Sequence, residues 1–150
     1  NSAFRIFSGP QEALLHWLSM NGIHRCKSAE AAYSYESGAE AAYRLLTSAH
    51  APDAIFCSGD INTMGALDAA RKLGRDIGET LSIAGFDAPC GMELPPYGIT
   101  ALRQDTGQLA RDAVQILKRM IDTDDRSPVV VTRPMELVVR TSTRPRPTEK

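Results

Sequence analysis

The sequence lacks the residue patterns of most catalytic and metal-binding sites. Its three cysteines, Cys26, Cys57 and Cys90, are odd in number and form no CxxC motif. This argues against a disulfide framework or a zinc site and favours a reducing compartment. The three histidines have no partner at metal or triad spacing. There is also no phosphate-binding glycine loop and no G-x-S-x-G motif. We therefore predict that the protein is not an enzyme and needs neither a metal nor another cofactor.

The sequence also lacks a strong charge of either sign and any long apolar run. Its formal net charge is −1, so the basic stripe of a DNA-binding module is missing, and DNA contacts are not expected from this part. No apolar run could span a bilayer, no signal peptide is visible, and no membrane partner is expected. With 150 residues, 43% hydrophobic and 23% charged, the chain is typical of one globular domain. It begins at Asn1 without a methionine, which is compatible with a fragment of a longer protein.

Apolar spacing and turn residues predict alternating helices and strands. We expect helices at 8–21, 37–46, 60–73 and about 105–121, and strands at 54–57, 81–86, 99–102, 129–131 and 136–139. Asp60 is predicted to be the N-cap of the third helix. The alternation implies right-handed βαβ crossovers and an α/β sheet. The predicted apolar helix faces are Ala13, Leu14, Trp17 and Leu18; Ala39, Ala42, Tyr43 and Leu46; Met64, Leu67 and Ala70; and Ala110, Ala113, Val114, Leu117 and Ile121.

Acidic residues follow two of the predicted strands. Asp60 follows the first and Asp87 the second, and both would lie at the sheet edge where open α/β sheets bind ligands. A carboxylate there can accept hydrogen bonds from the hydroxyls of a polyol. Asp60 could instead serve only as a helix cap, and Asp87 only as a turn former before Ala88. Tyr33, in a loop, could stack on a flat ligand, or could be an ordinary exposed or core tyrosine.

Several segments together resemble transcription regulators of the lactose/galactose-repressor type. In chain order they are 52–60 with 64–67, 81–87, 95–96 with 100–105, and 136–143. They cover nearly the whole chain, and the set is specific although each piece alone is weak. The resemblance implies a periplasmic-binding-protein-like (type I) sensor, a three-layer αβα parallel sheet of which this chain is the C-terminal portion. Such a sensor has two similar subdomains with a ligand cleft between them.

The resemblance also implies roles for individual residues. Asp87 would hydrogen-bond the effector and Tyr33 would stack on it, while Ser58 and Gly59 would form the cleft floor and Asp60 would cap the next helix. Many members have an asparagine that reads sugar hydroxyls at the position of Gly59, and purine-type members tolerate glycine there. Many members also have an effector-binding arginine at the position of Ile6, and the neighbouring Arg5 could take its place. The effector would be a sugar, a sugar phosphate or a purine, with a neutral sugar favoured.

The same resemblance divides the chain into four parts. Residues 1–98 would form the C-terminal effector-binding subdomain, 99–122 a crossover strand and helix of the first subdomain, 123–142 the returning strands, and 143–150 a frayed tail. A helix-turn-helix and a first subdomain would precede Asn1. We therefore predict that the strand near 99–102 lacks its sheet partners and invites swapping or oligomerisation. A homodimer face is expected at 61–73 and 92–97.

Three functions fit these observations to different degrees. The first is the sensing and dimerisation part of a cytoplasmic transcription regulator that binds DNA only through its missing N-terminal region. The second is an exported sugar-binding protein of an uptake system, against which stand the three unpaired cysteines and the 137–143 ending. The third is an enzyme on a similar scaffold, for which no nucleophile, metal cluster or phosphate loop is visible.

Overall fold

The computed structural model describes residues 8–24, 26–87 and 97–144, with side chains from Ala13 onward. Along these ranges the elements are α1 (Ser8–Met20), α2 (Tyr35–Leu46), β1 (Ala54–Cys57), α3 (Asp60–Lys72), β2 (Ser82–Phe86), β3 (Thr100–Arg103), α4 (Thr106–Thr123) and β4 (Glu136–Val138). Within the described residues, no helix is both long enough and apolar enough to cross a membrane.

The four strands form one mixed sheet in the order β1-β2-β3-β4. β1, β2 and β3 run parallel, with Ile55 opposite Ile83 and Gly85 opposite Ala101. β4 is antiparallel to β3. The α/β class with parallel strands is thus confirmed, with an antiparallel edge strand added. The prediction that the strand near 99–102 lacks sheet partners is wrong, because β3 pairs on both sides.

The core lies where α3 packs on β1 and β2 and where α2 packs on α3. Leu67, Ala70 and Ile83 are completely buried there, which confirms the predicted inner face of α3. Two glycines allow the helices to touch. A Cβ on Gly65 would lie 2.1 Å from the Tyr35 carbonyl oxygen, and a Cβ on Gly38 would lie 2.5 Å from the Asn62 Cα. Only glycine fits at so close a crossing.

A segment near the C-terminus joins β2 to β3 through one buried serine. The Ser142 hydroxyl donates to the Ile83 carbonyl oxygen at 2.6 Å and accepts from the Thr100 N–H at 2.8 Å. The Ser142 carbonyl accepts from the Ile83 N–H at 2.8 Å. Thr143, where the frayed tail was expected to begin, has its hydroxyl 2.8 Å from that of Thr100. Residues 145–150 lie outside the described residues.

Helix α4 is amphipathic, but this chain does not cover its apolar face. Val114, Leu117 and Ile121 are 64%, 59% and 80% exposed. On another side, Asp112 accepts two hydrogen bonds from the Arg133 guanidinium, at 2.6 and 2.7 Å. This bidentate contact ties the stretch before β4 to α4. The apolar face predicted for α4 thus forms one side of the helix, and the described residues leave it exposed.

Other sequence predictions are corrected in detail. Helix α2 begins at Tyr35, two residues before the predicted start, because the Ser34 hydroxyl caps it by accepting from the Ser37 N–H. Tyr43 and Trp17, predicted to face inward, are largely exposed. Residues 129–131, predicted as a strand, have no strand structure and are exposed. Three valines in a row favour a strand only where a neighbouring strand is available to pair with them.

Candidate functional site

The three parallel strands deliver polar side chains to one edge of the sheet. Beyond the carboxyl ends of β1, β2 and β3 lie Asp60, Asp87 and Gln104 respectively. Parallel strands bring their carboxyl ends to the same edge, where ligands of open α/β sheets bind. Asp60 and Asp87 were predicted at this edge from the sequence, whereas Gln104 was not.

Tyr33 reaches this edge from the loop before α2. Its hydroxyl donates a short hydrogen bond to Asp60 Oδ1, and the side chain remains 59% exposed. The ring lies against Gly59, where a Cβ would come within 3.0 Å of Tyr33 Cε2. Gly59 therefore makes room for the tyrosine ring, and a larger residue at this position would push the ring away.

Asp60 is the first residue of α3, and the predicted N-cap role is wrong by one position. The cap residue is Gly59, which has extended backbone angles and offers no side chain. Asp60 Oδ1 instead accepts from the Ile61 N–H at 2.7 Å. A carboxylate in the first turn is stabilised by the helix dipole. Asp60 thus serves the helix end and the Tyr33 hydroxyl together.

Asp87 stands at the end of β2 in a left-handed backbone conformation, with φ of 61°. Aspartate and asparagine tolerate this region better than most residues. One carboxylate oxygen of Asp87 accepts from Gln104 Nε2 at 2.5 Å. Gln104 follows β3 and precedes α4, so this contact links the ends of two neighbouring strands.

Both carboxylates of the edge, Asp60 and Asp87, affect the pKa of Tyr33. The hydrogen bond to Asp60 raises the pKa of Tyr33 above its ordinary 10.0, and partial burial and the charges of Asp60 and Asp87 act in the same direction. The phenol therefore stays protonated and remains a hydrogen-bond donor at neutral pH. The edge thus presents one aromatic face, two carboxylates and an amide, which suit a ring-shaped ligand that bears hydroxyl groups.

A second amide that the sequence reasoning missed supports the Tyr33 loop. Asn62 Nδ2 donates to the carbonyl oxygens of Ala32 at 2.7 Å and Ser34 at 3.0 Å, the two residues that flank Tyr33. Gln104 directly follows β3, a position that the strand pattern could have indicated, whereas Asn62 neither follows a strand nor lies in a recognisable motif. For Asn62, the only available signal was its place as a polar residue in the first turn of the helix that begins with Asp60.

The remaining predicted residues are less informative. Ser58 is half-buried beside the buried Gly59. Arg5 lies outside the described residues. Burial raises the pKa of the Cys57 thiol to about 12, against the opposing effect of its hydrogen bond with Thr63, so this thiol stays protonated and unreactive. Within the described parts of the chain, no group of three or more histidine, cysteine, aspartate or glutamate residues could hold a metal ion.

Comparison with known proteins identifies the fold family. Residues 10–143 match the family model described as a periplasmic binding protein-like domain. The HTH-type transcriptional repressor PurR of Serratia proteamaculans is 33% identical over 108 residues, which cover 71% of this chain and 31% of the repressor. The chain thus spans about a third of the length of the curated relatives it matches.

Solved structures agree with this match. A LacI family transcriptional regulator from Bifidobacterium animalis subsp. lactis superposes with a TM-score of 0.80 at 29% identity, over 92% of this chain and 51% of that one. A LacI family regulator from Enterococcus faecium with bound ribose superposes with a TM-score of 0.79, over 90% of this chain and 50% of that one. At 22% identity, the latter supports the fold alone. The chain belongs to the periplasmic binding protein-like domain family and corresponds to part of the effector-binding domain of LacI-type transcriptional regulators.

Proposed function

We propose that this chain senses a small effector for a cytoplasmic, homodimeric transcription regulator that reads DNA through a separate N-terminal helix-turn-helix. The observation that carries the proposal is the convergence of Tyr33, Asp60, Asp87 and Gln104 at the carboxyl edge of three parallel strands. This is the place where the fold accommodates ligands. The regulator relatives support the assignment of this convergence to sensing rather than to catalysis.

The chemistry of the edge favours a neutral, hydroxylated effector, such as a sugar. Carboxylates accept hydrogen bonds from hydroxyls, and the tyrosine ring offers a stacking face. The side chains in mutual contact there are negative or uncharged, namely Tyr33 with Asp60 and Asp87 with Gln104. These groups would repel a sugar phosphate unless a cation joined them. Arg5, as a neighbour of the usual arginine position, would be the residue to supply one, and a purine base remains the alternative effector class.

Helix α4 supports a division of the sensor into two subdomains. Its apolar residues Val114, Leu117 and Ile121 are exposed, as expected if α4 packs against a first subdomain that covers them while β3 stays in the described sheet. An effector held between the subdomains would favour one of their relative orientations. It could do so only by binding the two orientations with different affinity. The spacing of the two DNA-binding heads would change as a result.

Sequencing the coding region upstream of Asn1 tests whether the chain is part of a transcription regulator. The proposal expects a helix-turn-helix followed by a first α/β subdomain. A hydrophobic secretion signal without such a motif would contradict it and would favour an exported binding protein.

The effector site is tested by Asp87→Asn in the whole regulator. Asparagine keeps the size of the side chain and tolerates the positive φ of this position, so the change mainly removes charge. We expect effector affinity, measured by calorimetry over a panel of neutral sugars, sugar phosphates and purine bases, to fall by about 1–2 kcal/mol, or roughly 5- to 30-fold. Asp53→Asn, at the exposed amino end of β1, is the control. Equal affinities in the two variants would remove Asp87 from the site.

A further inference from the structure

Tyr33 lies at the tip of a tight turn whose backbone is closed by local hydrogen bonds. The Ser34 N–H donates to the Ala32 carbonyl at 2.8 Å. The Ala32 N–H donates to the Ser37 hydroxyl at 2.7 Å. These bonds occupy one side of the turn, while the carbonyls of Ala32 and Ser34 also face the first turn of α3.

One side chain of α3 bridges the two carbonyls on either side of Tyr33. Asn62 Nδ2 donates to Ala32 O at 2.7 Å and to Ser34 O at 3.0 Å. A primary amide has two N–H donors, and here both are used on one turn. Two bonds to carbonyls that flank a single residue restrict the backbone on both sides of it. The direction in which the Tyr33 side chain leaves the backbone is restricted as a consequence.

The backbone of Asn62 is held in place by the packing of α2 on α3. A Cβ on Gly38 would lie 2.5 Å from both the Cα and the carbonyl oxygen of Asn62. The backbone of α2 thus presses directly on Asn62. Helices packed this closely cannot slide past one another without a clash. The backbone position of Asn62, from which its amide reaches the loop, is therefore set by the helix pair.

Asn62 directs its amide nitrogen away from its own helix. It is the third residue of α3, and the described bonds of its amide nitrogen do not go to groups of α3. Those bonds go to the neighbouring loop.

We propose that Asn62 is a positioning residue of the candidate site, whose amide holds the turn so that the Tyr33 ring lies over Gly59 with its hydroxyl on Asp60. It would present the ring and the hydroxyl to the effector before binding, which would reduce the ordering cost of binding. The relevance to effector binding rests on the proposed function. The positioning itself does not, and it can be tested without any ligand.

The test is nitration of the whole chain by tetranitromethane at pH 8, followed by peptide mass spectrometry. The reagent attacks the phenolate, so a tyrosine whose pKa is raised reacts slowly. Asp60 raises the pKa of Tyr33 through their hydrogen bond, and that bond depends on the placement of the turn. Tyr43, 53% exposed against 59% for Tyr33, provides the reference rate within the same molecule. Tyr35, whose pKa is raised by its own bond to Asp68, should remain slow in every variant.

Asn62→Leu keeps the branched shape of the side chain and removes both donors. We expect the rate ratio of Tyr33 to Tyr43 to rise by at least about twofold, since phenolate fraction changes roughly tenfold for each unit of pKa. Asp60→Asn is the positive control, because it removes the charge directly. Asn21→Leu is the matched control, because it removes a hydrogen bond that a side-chain amide donates to a backbone carbonyl, that of Trp17 at 2.8 Å, at the end of α1.

An unchanged ratio in folded Asn62→Leu would overturn the proposal and would show that Asp60 alone orients Tyr33. If Asn62→Leu does not fold by circular dichroism, Asn62→Ser, which stays polar but cannot reach both carbonyls, takes its place. Failure of both variants to fold would also overturn the proposal, because the amide would then support the fold rather than one side chain. Since no effector is used, these outcomes are independent of whether the protein senses a sugar.

Discussion

Ser142→Ala removes the one hydroxyl that joins β2 to β3 at the amino end of their pairing. Ser142 is 1% exposed, so water cannot replace the lost group. The substitution leaves the Thr100 N–H without its acceptor at 2.8 Å and the Ile83 carbonyl without its donor at 2.6 Å. The backbone bond from the Ile83 N–H to the Ser142 carbonyl does not involve the side chain and should persist.

The magnitude follows from these two groups. A buried donor or acceptor left unsatisfied costs about 1–3 kcal/mol, so the two together should lower the free energy of unfolding by about 2–6 kcal/mol. That is a large share of the roughly 5–15 kcal/mol typical of a domain. With a urea m-value of about 2 kcal/mol per molar, in the middle of the usual range, the unfolding midpoint should fall by roughly 1–3 M. Urea titrations followed by far-ultraviolet circular dichroism would measure the shift.

Thr141→Ala is the matched control for this prediction. Its hydroxyl is on the adjacent, exposed residue and makes only a long contact of 3.4 Å with the Gly98 carbonyl. Little change in the midpoint is expected. A loss below about 1 kcal/mol in Ser142→Ala, the net value of an ordinary hydrogen bond, would refute the reasoning. The two backbone groups would then have found other partners.

Two further predictions concern packing and pH. Gly65→Ala should lower the free energy of unfolding by about 1–3 kcal/mol, since its Cβ would lie 2.1 Å from the Tyr35 carbonyl oxygen. Gly107→Ala should stabilise α4 by up to about 1 kcal/mol, because its Cβ would meet only side chains at 3.5 Å or more. Urea midpoints equal to that of the wild-type chain would contradict both predictions. The hydrogen bonds from Arg133 and Gln108 lower the pKa of Asp112 from 3.8. The contribution of the Asp112 carboxylate to the free energy of unfolding is therefore present above pH 3.8 and is lost as the pH falls through the lowered pKa. The gap in urea midpoint between the wild-type chain and Asp112→Asn should therefore shrink below pH 3.8, and a constant gap would exclude the ion pair.

The sequence predicted the part of the fold that depends on local signals. The short apolar run of β1, followed by a glycine and an acidic residue, predicted a covered strand leading into α3, and the structure has both. Leu67 and Ala70 were placed correctly in the core, because 3.6-residue spacing identifies the inner face once a helix packs on a sheet. Asp60 and Asp87 were placed at one edge by the same topological rule.

Periodicity was less informative about what covers a face. In α4 it grouped Val114, Leu117 and Ile121 correctly on one side, but this chain leaves that side exposed. In the same way, Tyr43 has helical spacing with Ala39 and yet is exposed, because the closest approach of α2 to α3 is at Tyr35 and Gly38, on another side of the helix. Spacing states which residues share a side. Whether a partner exists for that side depends on tertiary structure.

The candidate site shows the same limit at the level of single hydrogen bonds. Asp87 and Tyr33 could be proposed from their positions in the sequence, but the hydrogen bonds that position them could not. Gln104 donates to Asp87 across two neighbouring strand ends, and Asn62 donates to backbone carbonyls beside Tyr33. These contacts also bear on how the site would work. A carboxylate has room for more than one donor, so a ligand hydroxyl that bonds Asp87 would share it with Gln104 or displace it. Because Gln104 leads directly into α4, occupancy of the site and the position of α4 would be energetically linked. A sensor requires a link of this kind between ligand and conformation.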